Sequence, residues 1–246
     1  MCTVAVVAGP GGGYIVAQNR DERRTRSRGT PPVEGDFPLL CPRDPDGSGT
    51  WVGVNRAGLT LCMLNAPDPA PERLPPEPVS RGTIPLELAS AGTQCEARSL
   101  IEAMDMAHFR PFHLVVVSPG GGAPGILECR WDGTRTAWAS YRAPAMFVSS
   151  SLHQISADQA RGEVWVRFLA GNRSPDLAAL TGFMENHEPE KSSLSTCMHR
   201  EDAVTVSRTM VEVRRDQIIM AYTDGSPCDP GSPSSNYEVS LTDSPR

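Results

Sequence analysis

A cysteine stands directly behind the initiator methionine, at the head of the apolar, strand-like run 2–8. If Met1 is removed, Cys2 carries both a thiol and a free α-amino group. Reference pKa values of about 8.5 for a thiol and about 8 for an α-amine let the two groups exchange a proton near neutral pH. The sequence therefore predicts a nucleophile that carries its own base, which is the chemistry of acyl transfer from an amide or a thioester.

A polar cluster follows on the second apolar segment, at Asn19-Arg20-Asp21-Glu22. Side chains alternate between the two faces of a strand, so Asn19 and Asp21 are expected on one face and Arg20 on the other. Asp21 is the candidate to orient the α-ammonium group, and Asn19 is a candidate substrate-binding residue. Arg20 is the candidate to stabilise a thiolate or to bind substrate.

Acyl transfer also needs a hydrogen-bond donor aimed at the developing oxyanion, and side-chain amides serve this purpose. Asn65 directly follows the strand-like run 59–64 and is the candidate donor. The alternative is a structural role, in which Asn65 ends the strand or starts the turn at Ala66-Pro67.

The composition excludes several classes of function. A net charge of -6, from 23 basic and 29 acidic residues, predicts no nucleic-acid partner and favours a small-molecule substrate. Seven dispersed cysteines without a Cys-x-x-Cys pair indicate reduced thiols in the cytoplasm rather than a disulfide framework. The amino-terminal apolar run is too short for a signal peptide, and no run approaches the roughly 18–20 apolar residues of a membrane span.

The histidines do not form a pattern typical of metal binding. His199 taken alone is more typical of a surface or hydrogen-bonded histidine. No metal and no other cofactor is therefore expected. The other four histidines have no metal-ligand spacing and are His108, His113, His153 and His187.

The glycines at 9–13 join two β-type segments and predict a hairpin of 2–8 with 13–18. A dinucleotide-binding loop is rejected because a helix should follow it, whereas Tyr14-Ile15-Val16 is typical of a strand. A second hairpin is expected at 50–55 and 59–64. Helices are expected at 84–91, 95–106, 156–170 and 175–186, a meander of strands at 113–117, 125–131, 135–141 and 145–149, and closing strands at 204–213 and 217–222.

This order of strand blocks and helix blocks favours an α+β fold with antiparallel sheets over alternating βαβ units. Residues 1–222 are expected to form a single domain. Ser, Pro, Gly and Asp dominate the segment 223–246, which is therefore expected to be a mobile tail.

Several short motifs together resemble the NRDE family, also called the transport and Golgi organisation family. The resemblance implies an N-terminal nucleophile hydrolase fold, with two antiparallel sheets between helical layers (αββα) and a distant similarity to the conjugated bile acid and penicillin V hydrolases. The motifs follow the family's order over the first third of the chain and are Met1-Cys2-Thr3, Asn19-Arg20-Asp21-Glu22, Gly49-Thr50-Trp51-Val52-Gly53-Val54-Asn55, Gly58-Leu59 and Ser80-Arg81-Gly82.

Carried over from those hydrolases, the resemblance implies that Cys2 is nucleophile and base, that Asp21 is the partner of its amine, and that Asn65 is the oxyanion donor. The implied function is cleavage of an amide or acyl bond of a small molecule after removal of Met1.

Two positions depart from the hydrolases. Gln18 stands roughly where they have an arginine, so the guanidinium beside the thiol is either missing or supplied by Arg20. Ser150 stands where they have a second amide side chain and is expected to donate a hydrogen bond to substrate. Arg200 or His199, late in the chain, is a further candidate to restore the missing charge.

Two alternatives lie outside hydrolysis. One is a binding or trafficking protein that keeps the fold without turnover, with haem or a lipid-like ligand, as implied by the same resemblance. The pair Cys41-Pro42 is of a kind seen at some haem sites. The other is a purely structural partner of other proteins, in which Cys2 is buried and unreactive.

Overall fold

The computed structural model describes residues 2–33, 38–70, 74–120 and 123–241. Met1 lies outside the described residues, and so does the end of the expected tail, 242–246. The expected removal of Met1 therefore remains a prediction.

Twelve strands and four α-helices are present in these residues. The strands are β1 (Cys2–Ala8), β2 (Tyr14–Arg23), β3 (Leu39–Leu40), β4 (Val52–Asn55), β5 (Thr60–Asn65), β6 (Phe112–Ser118), β7 (Gly125–Trp131), β8 (Thr136–Arg142), β9 (Ala145–Ser149), β10 (Ala203–Val213), β11 (Gln217–Asp224) and β12 (Ser234–Ser240). The helices are α1 (Ile84–Glu87), α2 (Gln94–Glu102), α3 (Gln154–Gly171) and α4 (Leu177–Met184).

The strands form two antiparallel sheets of six, which lie face to face. The first sheet has the order β12-β11-β10-β2-β1-β9, and the second has the order β3-β4-β5-β6-β7-β8. Helices α3 and α4 pack on the outer face of the first sheet, and α1 and α2 pack on the outer face of the second. The predicted αββα arrangement of two antiparallel sheets between helices is confirmed.

Strand β1 shows why its sequence is apolar at nearly every position. Val4 and Val6 pack between the sheets, whereas Ala5 and Val7 pack against α3 and α4. All four side chains are fully buried. A strand covered on both faces needs apolar residues on both, and each buried valine contributes about 1.5–3 kcal/mol.

The predicted first hairpin is confirmed, with a register that runs from Cys2 opposite Arg20 to Ala8 opposite Tyr14. The glycine run makes a single short turn and leads directly into β2. At Gly13 a Cβ would lie 1.9 Å from the carbonyl oxygen of Val213, so a larger residue would push β2 away from β10. Gly13 is therefore required for the close packing of β2 on β10.

Strand β9 departs from the expected meander. β6, β7 and β8 do form one, but β9 crosses to the other sheet and pairs with β1. The alternation of apolar side chains predicts that a strand exists without specifying its neighbour. This crossing brings Ser149 beside Cys2.

The segment expected to be a mobile tail contains β12, which pairs with β11 from Thr223 opposite Ser234 to Gln217 opposite Ser240. The prediction was wrong for these residues. The tail was inferred from the lack of apolar side chains, but an edge strand is held largely by backbone hydrogen bonds. Two side chains of this strand, Tyr237 and Val239, also pack against the core between the sheets.

None of the helices in the described part of the chain is long and apolar enough to cross a membrane.

Candidate active site

Cys2 lies at the start of β1, opposite Arg20 on β2 and opposite Ser149 on β9. Directly opposed residues of an antiparallel pair share a face, so Cys2 and Arg20 both face the space between the sheets. The side chain of Cys2 is buried. Its backbone N–H donates a hydrogen bond to Ser149 Oγ at 2.9 Å. This nitrogen would become the α-amine after removal of Met1, so the hydroxyl of Ser149 already orients it.

A cleft of about 290 Å³ opens above Cys2 at this end of the sandwich. The first sheet contributes Cys2 and Arg20 to its lining, and the second contributes Asn65. Three of the predicted catalytic residues, which are distant in sequence, therefore share one cleft.

Arg20 is held firmly within this cleft. Its side chain is buried, it donates to Asp44 at 3.1 Å, and its guanidinium lies 4.0 Å from the ring centroid of Trp51. Arg20 Nη1 is buried and has no hydrogen-bond partner among the described residues. A buried donor without a partner costs about 1–3 kcal/mol, which a substrate oxygen would recover.

Gln18 takes the position at which the resemblance led us to expect an arginine. Its amide donates to the Met63 carbonyl at 3.1 Å and also hydrogen-bonds the Cys2 thiol. The thiol therefore has a neutral amide beside it. Arg20, the predicted source of a guanidinium, is paired with carboxylates instead.

The surroundings of Cys2 favour a neutral thiol while Met1 is still attached. Burial raises the pKa of the Cys2 thiol, and the carboxylates of Asp21 and Glu22 add to the rise. The charge of the amino terminus and the hydrogen bond with Gln18 lower this pKa, but they do not outweigh burial. Activation of Cys2 thus requires a base close to the sulfur.

Asp21 lies on the opposite face of β2, as alternation predicted. The hydroxyl of Thr205 donates to Asp21 Oδ1 at 2.6 Å, and Asp21 Oδ2 lies 3.5 Å from the guanidinium of Arg161. Both side chains of this ion pair are fully buried. The charge of Asp21 is therefore held next to the start of β1 by two fixed partners.

Asn19 lies on this same face and turns away from the cleft. Its amide donates to the carbonyls of Met184 at 2.8 Å and Thr196 at 3.0 Å. These bonds tie β2 to the end of α4 and to the segment before β10. The geometry therefore gives Asn19 a structural role in place of the predicted contact with substrate.

Two other predicted substrate-binding residues are also absent from the described lining of the cleft. Ser150 starts the turn into α3, where its N–H donates to Gln154 and its Oγ accepts from the N–H of His153. Arg200 makes a two-point ion pair with Asp202. The neighbouring Ser149 is the serine that reaches Cys2, because alternation turns the two serines in different directions.

Arg161 is a residue that the sequence analysis missed. It is completely buried, and its guanidinium donates to the Thr3 hydroxyl and to the carbonyls of Ser193 and Leu194. It thereby links α3 to β1, Asp21 and the segment before β10. The signal was present in the sequence, since Arg161 falls on the same face of α3 as the buried residues Ala157, Val164 and Trp165.

The motif Ser80-Arg81-Gly82 reaches the cleft through a close backbone contact. The N–H of Thr50 donates to the Gly82 carbonyl at 2.8 Å, and a Cβ on Gly49 would lie 2.3 Å from the Gly82 carbonyl carbon. Glycine is required at this crossing. The contact places Arg81 in the cleft lining, where burial lowers the pKa of its guanidinium.

The two antiparallel sheets of six strands, packed face to face between helices, define a protein of the N-terminal nucleophile hydrolase fold. A solved structure of the same fold is described as a Caenorhabditis elegans N-acylethanolamine-hydrolyzing acid amidase (NAAA) ortholog. It matches with a TM-score of 0.54 and 16% identity, over 94% of this chain and 95% of that chain. The family model described as Transport and Golgi organisation 2 matches residues 1–174, and the chain belongs to this family, as the motifs predicted. No curated protein matches the sequence.

Proposed function

We propose that this chain is a cysteine amidohydrolase that cleaves an amide or acyl bond of a small polar molecule after Met1 is removed. The observation that supports this most strongly is the placement of Cys2, Arg20 and Asn65 around one cleft, with the Cys2 nitrogen hydrogen-bonded to Ser149. The acid amidase ortholog with 16% identity has the same fold, in which this arrangement is compatible with amide hydrolysis.

In the proposed mechanism the α-amine of Cys2 takes the proton of its own thiol, and the thiolate attacks the carbonyl carbon of the substrate. The side-chain amide of Asn65 donates to the oxyanion that forms. The carbonyl is restored as the bond to the leaving amine breaks, and the α-ammonium gives its proton to that amine. Water then attacks the thioester, with the α-amine as base, and releases the acid and the free thiol.

Asp21 and Ser149 have positioning roles in this mechanism. The Ser149 hydroxyl holds the α-amine, and the negative charge of Asp21 favours its protonated form, which is the form that gives a proton to the leaving group. Removal of Met1 places this amine on Cys2 itself. The base that the buried thiol requires is then supplied by the same residue.

The charges of the cleft favour a polar substrate. Separately, we propose a cytoplasmic location because the cysteines are free thiols. Arg20, Arg26, Arg81 and Arg110 line the cleft together with Glu22 and Asp44. The excess of guanidinium groups suits a carboxylate or phosphate on the substrate. A volume of about 290 Å³ suits a compact molecule.

The alternative is a protein of the same fold that binds a ligand without turnover. The neutral Gln18 beside a buried thiol favours it, because burial outweighs the hydrogen bond from Gln18 and keeps the pKa of the thiol raised. Haem ligation by Cys41 has less support, since Cys41 packs on the helix-facing side of the second sheet and is not among the residues that line the cleft. The charged lining also disfavours a lipid-like ligand.

The test is covalent trapping on the purified full-length chain. Intact mass first shows whether Met1 is removed. The protein is then incubated with chromogenic anilides and thioesters, each with and without a free carboxylate, and is quenched for peptide mapping. We expect an acyl adduct on Cys2, faster release from the carboxylate-bearing probes, and no turnover by Cys2→Ala.

Cys95→Ala is the matched control, because Cys95 is exposed and lies on α2, away from the cleft. This variant is expected to keep full turnover. The proposal fails if active protein retains Met1, or if Cys2→Ala hydrolyses the probes as fast as the natural sequence.

A further inference from the structure

Four side chains with metal-binding chemistry meet on the side of the first sheet away from the cleft. They come from two connections that are distant in sequence, one between α4 and β10 and the other between β11 and β12. His187 follows α4, Cys197 and His199 lie in the segment before β10, and Cys228 lies in the connection between β11 and β12. Each offers one ligand atom, and these atoms all lie within 4.8 Å of one another.

The distances match those of a tetrahedral zinc site. Zn–S bonds of about 2.3 Å and Zn–N bonds of about 2.0–2.1 Å separate a ligand sulfur from a ligand nitrogen by about 3.5 Å. His199 Nε2 lies 3.5 Å from Cys197 Sγ and 3.3 Å from Cys228 Sγ. His199 Nε2 is therefore already spaced from each of the two sulfurs as zinc ligands are.

His187 supplies an independent observation. Its Nε2 atom is buried and has no hydrogen-bond partner among the described residues. The ring centroids of His187 and His199 are 5.1 Å apart and the rings are tilted by 57°, so they do not stack. Buried polar nitrogens without a partner are uncommon in folded proteins, and a metal ion would satisfy this one.

We propose that His187, Cys197, His199 and Cys228 bind a Zn²⁺ ion as a closed structural site. Two histidines and two cysteines form one of the ligand sets that zinc takes up in such sites, and four protein ligands leave no open position for catalysis. Binding releases the two thiol protons to solvent, and the two thiolates then balance the charge of the ion.

The site would stabilise the connection between α4 and β10, which contacts the face of β2 that points away from the cleft. Thr196 accepts from the amide of Asn19, and Ser193 and Leu194 accept from Arg161. Met198 lies between two of the ligands, and its N–H donates to the hydroxyl of Thr205 at 2.7 Å.

The same hydroxyl of Thr205 donates to Asp21. A metal ion that anchors Cys197 and His199 would thus fix the backbone that positions Asp21. This segment has no regular helix or strand between α4 and β10. Cross-linking an irregular segment stabilises it by reducing the freedom of the unfolded chain.

The test uses the full-length chain, purified under reducing, oxygen-free conditions and analysed without any substrate. Elemental analysis is expected to find one zinc per chain. Replacement of zinc by Co²⁺ is expected to give the sulfur-to-cobalt charge-transfer absorption and the strong visible bands of a tetrahedral thiolate site. Zinc affinity is measured by competition with a chromophoric chelator.

Cys228→Ser and His187→Ala are each expected to weaken zinc binding by at least about 10–100-fold. Both residues lie in connections between elements, and circular dichroism of the variants checks that they fold. Cys95→Ser and His108→Ala are the matched controls, because these residues are exposed and lie elsewhere. A strong chelator is expected to lower the thermal midpoint of the natural sequence and not that of Cys228→Ser.

The proposal is overturned if the reduced chain binds less than stoichiometric zinc, or if the cobalt form lacks thiolate charge transfer. It is also overturned if Cys228→Ser binds zinc as tightly as the natural sequence. A disulfide between Cys197 and Cys228 in the reduced preparation would argue for a redox pair instead. None of these results depends on whether the chain is a hydrolase.

Discussion

The backbone N–H of Cys2 donates to the hydroxyl of Ser149 at 2.9 Å, across the pairing of β1 with β9. Ser149 is buried, so water does not replace this bond readily. The strand that carries Ser149 joins the first sheet after crossing from the second. The atom that would serve as general base is therefore oriented by a residue 147 positions away in the chain.

Ser149→Ala is expected to lower kcat of the processed enzyme by about 10-fold or more, because the α-amine loses the group that orients it. The acid limb of the pH profile should shift as well, which a purely structural role would not produce. Ser149→Thr should restore part of the rate. Ser150→Ala is the control on the neighbouring residue, and an equal loss of kcat in that variant would contradict the assignment.

The reactivity of Cys2 is expected to depend on removal of Met1. Burial raises the pKa of this thiol above its ordinary value when the chain ahead of Cys2 is intact. Only the thiolate is alkylated, so Cys2 in an amino-terminally extended variant should react with iodoacetamide more slowly than Cys95 at neutral pH. Its rate should keep rising as the pH passes the ordinary pKa of a thiol.

The processed chain should show the opposite behaviour, because the α-amine then takes the thiol proton. Its Cys2 should be labelled faster than Cys95 at neutral pH. Labelling followed by peptide mapping measures both rates in one sample. Equal rates at Cys2 in the extended and processed forms would contradict activation by the amine.

Asn65→Ala is expected to lower kcat by about 100- to 1000-fold with little change in KM, because an oxyanion donor acts mainly in the transition state. Steady-state kinetics with the best chromogenic probe measures kcat and KM separately. Asn236→Ala is the control, since Asn236 is exposed on β12. A rise in KM with unchanged kcat would instead assign Asn65 to binding in the ground state.

Arg161→Ala is expected to destabilise the fold by about 3–5 kcal/mol, because it leaves the charge of Asp21 buried without its cation. Urea unfolding followed by circular dichroism measures the change. Arg167→Ala on the same helix is the matched control. Arg167 pairs with Glu188 at the surface, so its loss should cost less than about 1 kcal/mol.

Much of the fold could be predicted from local patterns. The apolar runs of β1 and β2, the glycine turn between them and the alternation at Asn19, Arg20 and Asp21 are all determined by neighbours in the chain. The motifs of the first third also identified the family. Helix α4 begins at Leu177, two residues later than the expected helix 175–186, since Asp176 is the residue that caps it.

Local sequence patterns did not predict the structure where segments that are distant in the chain meet. Strand β12 has few apolar side chains, so nothing in its sequence distinguished it from a mobile tail. His187, Cys197, His199 and Cys228 have no recognisable ligand spacing, and the sequence analysis therefore assigned no metal. Their proximity depends on the α4–β10 connection folding back on itself and packing beside the β11–β12 connection.

The sequence by itself determined which groups exist: a thiol next to the amino terminus, an acid and a cation on alternate faces of β2, and an amide at the end of β5. These depend on residue type and on the twofold repeat of a strand. Only the tertiary structure decided which of them share a cleft, which serine reaches the Cys2 nitrogen, and that a buried arginine from α3 forms an ion pair with Asp21. Those relationships depend on which strands are neighbours in a sheet and on where the helices pack. Both are determined by packing between segments that are distant in the chain.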